Sequence, residues 1–308
     1  MTSDSNPSRK VTLIGNAVRS PSPPTPPPPP STPRGPLAIG QRIAGRYVIQ
    51  EWIGSGGMGV VYRAIEDEIE REVAMKFITA RDGVSSTDER RAHDERFRRE
   101  AQALGALPPH PNRVVLYQYG HDDGSDLNFM AMELVRGDDL ATVLERATLT
   151  VEQILSYATQ IVMALEDVHA SGLVHRDLKP ENLILTRSLL GDEQLKLIDF
   201  GIAHGPRADG AYPTHTGELI GTARYMAPEL FTDGNQDDPR VDIYAIGVLM
   251  YEMVAARGPF DHLMEDEEDL EQVIRHHIVS EPAPLTSRQT CTDECREPLR
   301  QLTDAIAR

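Results

Sequence analysis

Two aspartates carry whatever chemistry this chain performs. Asp177 lies in the run His175-Arg176-Asp177-Leu178-Lys179-Pro180-Glu181-Asn182, and Asp199 opens Asp199-Phe200-Gly201 one short hairpin's length later. An aspartate beside a substrate hydroxyl can accept its proton, while an asparagine and a second aspartate supply oxygen ligands for a Mg²⁺ that bridges the phosphates of ATP. The pattern therefore reads as two acidic arms of a phosphoryl-transfer site. His-Arg-Asp alone would occur by chance; the Asp-Phe-Gly at this distance makes it specific.

These residues need elements to hold them. Tyr47-Val48-Ile49, Val60-Val61-Tyr62 and Val73-Ala74-Met75-Lys76-Phe77 are short, β-branched or aromatic runs separated by polar segments, and they predict a twisted antiparallel sheet. Between the first two, Ile53-Gly54-Ser55-Gly56-Gly57-Met58-Gly59-Val60-Val61 contains G-x-G-x-x-G-x-V. Glycines there let a turn approach phosphates without Cβ obstruction and leave backbone N–H groups to receive them. A dinucleotide fold uses a similar motif, but its next element is a helix; here it is the strand carrying Lys76.

Phe97, Ala101 and Leu104 recur at helical spacing, with Glu100 bordering that face. Further strands are expected at Val114–Tyr119 and Phe129–Leu134. After Gly137 the pattern becomes helical: Thr150 and Gln153 form a capping box, Ile154, Tyr157, Ile161, Leu165 and Val168 make an apolar stripe, and Gly172 can end the helix. The acidic run Glu265–Asp269 reads as the start of a solvated helix, where carboxylates complement the dipole. Strands first and helices later suggest two lobes, an α+β architecture.

Residues 1–38 form a polar segment containing Pro21-Ser22-Pro23-Pro24-Thr25-Pro26 continuing to Pro30, which favours extended polyproline and cannot bury apolar area. It is expected to be a disordered tail, either a spacer or a ligand for a proline-recognising partner. The rest, 39–308, is expected to be one domain, with a small lobe over about 39–135 and a large lobe over about 136–308. A net charge of −17 disfavours nucleic acid or an anionic membrane as a general partner. No apolar run reaches the roughly 18 to 20 residues of a membrane span, and MTSDSNPSRK lacks the apolar centre of a signal peptide, so the expectation is cytoplasmic. Lys10, Lys76, Lys179 and Lys196 are the only lysines, and two of them fall inside the motifs above. Cys291 and Cys295 read as reduced thiols, since no further ligands at metal-site spacing accompany them.

Together these motifs resemble the eukaryotic-like (Hanks-type) Ser/Thr protein kinases, most closely the bacterial branch, over about residues 43–308. The resemblance implies the two-lobed protein kinase-like fold, with a small antiparallel β lobe and a larger helical lobe, and transfer of the γ-phosphoryl of MgATP to protein hydroxyls. By this resemblance Asp177 would be the catalytic base and Lys179 would stabilise the transferring phosphoryl group. Lys76 would hold the α- and β-phosphates and pair with Glu100, while Asn182 and Asp199 would bind Mg²⁺. The glycine-rich residues Ile53, Gly54, Ser55, Gly56, Gly57, Met58 and Gly59 would cover the nucleotide. Val61, Ala74 and Ile184 would sandwich adenine, with Met132 as gatekeeper and Glu133 to Val135 as hinge; the apolar members could equally be ordinary core.

The segment between Asp199 and Ala227-Pro228-Glu229 resembles an activation segment. Its Gly221-Thr222-Ala223-Arg224-Tyr225 follows the Gly-Thr-x-x-Tyr pattern of Ser/Thr kinases, so Ser/Thr substrates are implied. Thr222 would support the base and the substrate loop. Thr214 and Thr216 sit where related kinases autophosphorylate, with a second copy acting in trans, and Arg176 resembles the arginine that reads such a phosphate. Asp242, in Val241-Asp242-Ile243-Tyr244, resembles the helix-start acid that anchors the catalytic loop. One departure is expected to matter: the family continues past a segment like Leu299–Arg308 into a helix whose arginine pairs with Glu229, so the C-terminal lobe is apparently incomplete. A nucleotide-binding scaffold without catalysis, and a small-molecule phosphotransferase, are the competing readings.

Overall fold

The computed structural model describes residues 35–56, 59–78, 98, 101–188, 190–199, 221–231, 238–264 and 269–285. The tail up to Arg34, Cys291, Cys295 and the segment Leu299–Arg308 lie outside the described residues. A compact unit begins at Gly35. The expected tail overlaps its first residues: Leu37 is only 4% exposed, packs into the small-lobe core, and donates its N–H to Tyr62 Oη at 3.3 Å.

Six strands, β1 (Arg42–Ile43), β2 (Tyr47–Gly56), β3 (Gly59–Glu66), β4 (Arg71–Ile78), β5 (Leu116–Asp122) and β6 (Leu127–Glu133), form an antiparallel sheet in the order β1-β2-β3-β4-β6-β5. β3 alternates as its sequence suggests, with Tyr62 and Ala64 buried and Val61, Arg63 and Ile65 half-buried. β4 does not alternate; Val73 to Ile78 are all buried because both faces of this central strand are covered. Tyr47 meets Phe129 edge-on at 6.0 Å, and Tyr62 meets Phe77 at 5.9 Å, which fixes how the sheet curls over its core.

β5 starts later than the sequence predicts. Val114 is diverted to the hairpin below, its N–H donating to Leu197 O at 2.9 Å, while Val115 O still accepts from Glu133 N–H at the end of β6, also at 2.9 Å. The strand then runs on through His121 and Asp122, which register with Asn128 and Leu127.

The large lobe opens with β7 (Asp138–Asp139), then α1 (Leu140–Arg146) and α2 (Val151–Ala170). Thr150 and Gln153 close the capping box on α2, worth about 1 kcal/mol. The stripe Ile154, Tyr157, Ile161, Leu165 and Val168 is buried. Gly172, at φ +79°, takes the left-handed turn out of the helix. β8 (Leu183–Arg187) and β9 (Glu193–Leu197) make a hairpin, paired through β8 to β7. α3 (Arg240–Ala255) packs on α2 through Leu249 and Met253. α4 (Leu270–Val279) starts at the Asp269 cap, whose carboxylate accepts from the Glu271 and Gln272 N–H groups, while residues 265–268 of the acidic run lie outside the described residues. Ile78 and Met130 of the sheet share one apolar cluster with α2, β8 and β9, so the central strands of the sheet and the hairpin below them rest on a common core.

Candidate active site

The loop between α2 and β8 carries Asp177, and its shape is imposed from α3. Asp242, 1% exposed in the first turn of α3, accepts the His175 and Arg176 N–H groups at 2.8 Å each and lies 2.7 Å from His169 Nε2. Two consecutive N–H groups can converge on one carboxylate only if the chain bends sharply, and Arg176 sits at φ +65°, a conformation costing a non-glycine residue of order 1 kcal/mol. Burial pushes the Asp242 carboxyl upward, but the His169 bond, the neighbouring His175 and the two backbone donors outweigh it and hold the group below 3.8. His175 is fully buried, and burial holds its imidazole below the usual histidine range. Its Nδ1 accepts the Asp177 N–H at 3.2 Å, so in the neutral ring the proton belongs on Nε2.

Asp177 is 3% exposed, and its carboxylate is aimed by neighbours on both sides. Asn182, on the one-turn helix Pro180–Asn182, donates Nδ2 to Asp177 O at 2.7 Å and Oδ2 at 2.9 Å. Lys179 Nζ lies 3.3 Å from Asp177 Oδ1 and donates to Thr222 Oγ1 at 2.9 Å. One ammonium thus links the carboxylate to the Gly-Thr-x-x-Tyr segment. That segment is also braced further along, Tyr225 Oη donating to Glu252 at 2.7 Å and Arg224 lying 3.4 Å from Asp261.

On the opposite wall, Lys76 of β4 is 6% exposed and reaches Asp199 Oδ1 and Oδ2 at 2.5 and 2.6 Å. Ile198 N–H donates to Asn182 O at 2.9 Å, which brings Asp199 beside the end of the catalytic loop. The β2–β3 hairpin above is in register from Gly54↔Val61 through Ser55↔Val60 to Gly56↔Gly59. Gly59 is at φ +140°, and a Cβ there would fall 1.9 Å from Phe77 O, so only glycine fits. Val61 registers with Lys76 and Ala74 with Met132, while Ile184 of β8 registers with Lys196 of β9. Ala74 is buried; Val61, Met132, Glu133, Val135 and Ile184 are half-buried, and Ile53 is 47% exposed at the hairpin.

The structure therefore gathers Asp177, Lys179, Asn182 and Thr222 on one side and joins Lys76 to Asp199 on the other. Gly57, Met58, Glu100, Phe200, Gly201, Thr214 and Thr216 lie outside the described residues, so the described carboxylate partner of Lys76 is Asp199. Glu229, in the one-turn helix Pro228–Phe231, is half-buried and does not lack a partner. Sequence reasoning missed His169 and Lys196. His169 ends the buried stripe of α2 one residue after Val168, and only its partner on α3 marks it out. Lys196 breaks the apolar run Leu195-Lys196-Leu197, a local signal that names no partner.

The donor set suits Mg²⁺. Among the described residues no group of three or more His, Cys, Asp or Glu could cage a metal, but Mg²⁺ is ordinarily held by one or two protein oxygens together with substrate phosphates. With its Nδ2 committed to Asp177, Asn182 has its amide oxygen left to ligate, and each Asp199 oxygen keeps lone pairs beyond the Lys76 bonds.

Residues 47–307 match the protein kinase domain family. The chain is 36% identical over 261 residues to the serine/threonine-protein kinase pkn3 of Myxococcus xanthus, covering 84% of this chain and 45% of that one. It is 37% identical over 254 residues to the serine/threonine-protein kinase PknA of Mycobacterium tuberculosis, covering 80% and 54%. The chain thus spans about half the length of these relatives. The crystal structure of the Mycobacterium tuberculosis PknI kinase domain superposes with a TM-score of 0.61 at 26% identity, over 88% of this chain and 89% of that one.

Proposed function

Because this chain belongs to the protein kinase family, on its bacterial Ser/Thr branch, we propose that it transfers the γ-phosphoryl group of ATP to serine and threonine hydroxyls of proteins. The observation that carries this reading is the link Asp177–Lys179–Thr222, in which one ammonium spans from the candidate base to the segment that resembles a substrate-binding loop. Asp177 takes the hydroxyl proton as the hydroxyl oxygen attacks the γ-phosphorus and ADP leaves. Asn182 keeps the carboxylate oriented so that proton acceptance needs no reorganisation. Lys179 sits where negative charge builds on the transferring group, and Lys76 holds the nucleotide phosphates. Mg²⁺, held by Asn182 and Asp199, would neutralise the phosphate oxygens when bound. The domain is proposed to work in the cytoplasm, where ATP is available.

Activation-segment phosphorylation belongs to the same proposal. A phosphate on Thr214 or Thr216 adds about −1.5 to −2 charge, and Arg176, whose backbone is already fixed by Asp242, supplies a guanidinium for it. Radiolabelled ATP with a generic protein acceptor and Mg²⁺ tests the reading. Phosphoserine and phosphothreonine are expected in acid hydrolysates; label on tyrosine alone, or no transfer by protein bearing phosphate on Thr214 or Thr216, would overturn it.

A further inference from the structure

Lys196 lies outside the motif residues that the phosphoryl-transfer reading uses, yet it joins the two walls of the cleft. Leu195 and Leu197 on either side are fully buried, so strand alternation turns Lys196 to the other face of the hairpin, opposite Ile184. There its Nζ lies 2.7 Å from Oε1 and 2.8 Å from Oε2 of Glu133, the last residue of β6 before the segment that resembles a hinge. Glu133 Oε2 also accepts the Val115 N–H at 3.3 Å, and Glu133 N–H returns a bond to Val115 O at 2.9 Å. Leu197 meanwhile accepts the Val114 N–H through its carbonyl. The hinge residue is thus pinned by main chain to the 114–115 segment, and by side chain to a strand that ends two residues before Asp199.

We propose that Lys196 and Glu133 form a positioning pair that sets how tightly the cleft holds nucleotide, by fixing the hinge backbone relative to Ile184 and Asp199. The inference rests on the reading of this cleft as an ATP site. The two side chains are 13% and 25% exposed, so solvent screens the pair only in part, and losing either charge removes the link between β6 and β9. From its strand position the Lys196 ammonium sits between both Glu133 carboxylate oxygens.

The test compares wild type, Lys196→Met, Lys196→Arg, Glu133→Gln and the Met/Gln double variant. MgADP affinity is measured by calorimetry, melting is measured without nucleotide, and ATP kinetics use a generic protein acceptor. We expect Lys196→Met and Glu133→Gln each to weaken MgADP by about three- to tenfold, and the double variant to be no weaker than either single. Lys196→Arg should recover most of the loss, and KM for ATP should rise with a smaller change in kcat. Unchanged MgADP affinity in the single variants overturns the proposal, as do losses that add in the double variant or a lowered melting temperature with affinity intact. If Lys196→Met does not fold, Glu133→Gln with its own melting curve decides. Wild type that binds MgADP but transfers no phosphate overturns the kinase reading while the affinities still judge the pair; wild type that binds no MgADP overturns both.

Discussion

The catalytic loop and the glycine-rich hairpin face the same cleft and are built by opposite means. In the loop, His175, Asp177 and Asn182 are 0%, 3% and 6% exposed, and side-chain hydrogen bonds to backbone join them to one another and to the equally buried Asp242 of α3. In the hairpin, Ser55 and Ile53 are exposed, and the geometry is set by ladder register and by the one glycine at φ +140°. Burying so many polar groups is costly unless every one is satisfied, and the reward is a carboxylate held in one orientation. A nucleotide cover, as proposed for this hairpin, has the other requirement: it must let nucleotide in and out, which exposed side chains near its turn, such as Ile53 and Ser55, permit.

The sharpest way to break the comparison is Asp177→Asn. Removing the proposed base while keeping its shape should cut single-turnover transfer by about 10²- to 10⁴-fold. MgADP affinity should stay within about twofold, because the nucleotide wall is built from other strands. If the variant transfers phosphate at the wild-type rate, Asp177 is not the base and the loop's rigidity serves something else.

Asp242→Asn attacks the loop's support and leaves its chemistry in place. An amide offers one acceptor oxygen to donors that now use two, and it aims an N–H at another, so about 3 kcal/mol of stability should go. Urea titration at neutral pH measures it, and transfer should fall as the loop loosens. The charge makes a pH statement as well. The folded carboxyl is held below 3.8, so its stabilisation is fully present above that value and is lost as pH falls through the lower folded pKa. The wild-type advantage over Asp242→Asn should therefore shrink as pH falls below about 4. An advantage that kept growing below about pH 4 would contradict the charged form.

Gly59→Ala tests the hairpin side. The new Cβ meets Phe77 O and the φ is wrong for alanine, so the strand pair must shift, at a cost of about 1–3 kcal/mol. The effect should appear as a raised KM for ATP with kcat changed less, the reverse of Asp177→Asn. Equal losses in kcat and kcat/KM would mean that the hairpin is as strictly positioned as the loop.

The parts legible in the sequence were those encoded by neighbours in the chain. The short β-branched and aromatic runs marked β2, β3 and β4, the 3.6 spacing marked the buried stripe of α2, and Thr150 with Gln153 marked its first turn, because each is decided within a few residues. The residue types of the site were legible because the motifs are contiguous. Partnerships across long separations were not: Asp199 against Lys76, His169 against Asp242 and Lys196 against Glu133 depend on sheet order and helix crossing, which no local spacing encodes. The late start of β5 has the same origin, since Val114 looks like a strand residue until the Leu197 carbonyl of β9 claims its N–H. Leu37 likewise reads as linker, and only the Tyr62 hydroxyl and the core beneath it draw it in.

Thr222→Val should have the smallest effect and is the most informative about where the loop's rigidity ends. Thr222 is 4% exposed, and its hydroxyl accepts from Lys179 at 2.9 Å; valine keeps the shape and removes the acceptor. Lys179 then keeps only its 3.3 Å contact with Asp177 among the partners described for its ammonium. A hydrogen bond to a charged group is worth about 1.5–3 kcal/mol when buried, and Lys179 is one-fifth exposed, so the lower end applies and a fall in kcat of about tenfold is expected. Thr222→Ser keeps the hydroxyl and should stay near wild type. If the loss from Thr222→Val disappears in a Lys179→Met background, the hydroxyl acts through the lysine and the rigid region extends from α3 through the catalytic loop into the substrate segment. If the two losses multiply instead, Thr222 and Lys179 act separately, and the loop's fixed geometry stops at Asn182 and Asp177.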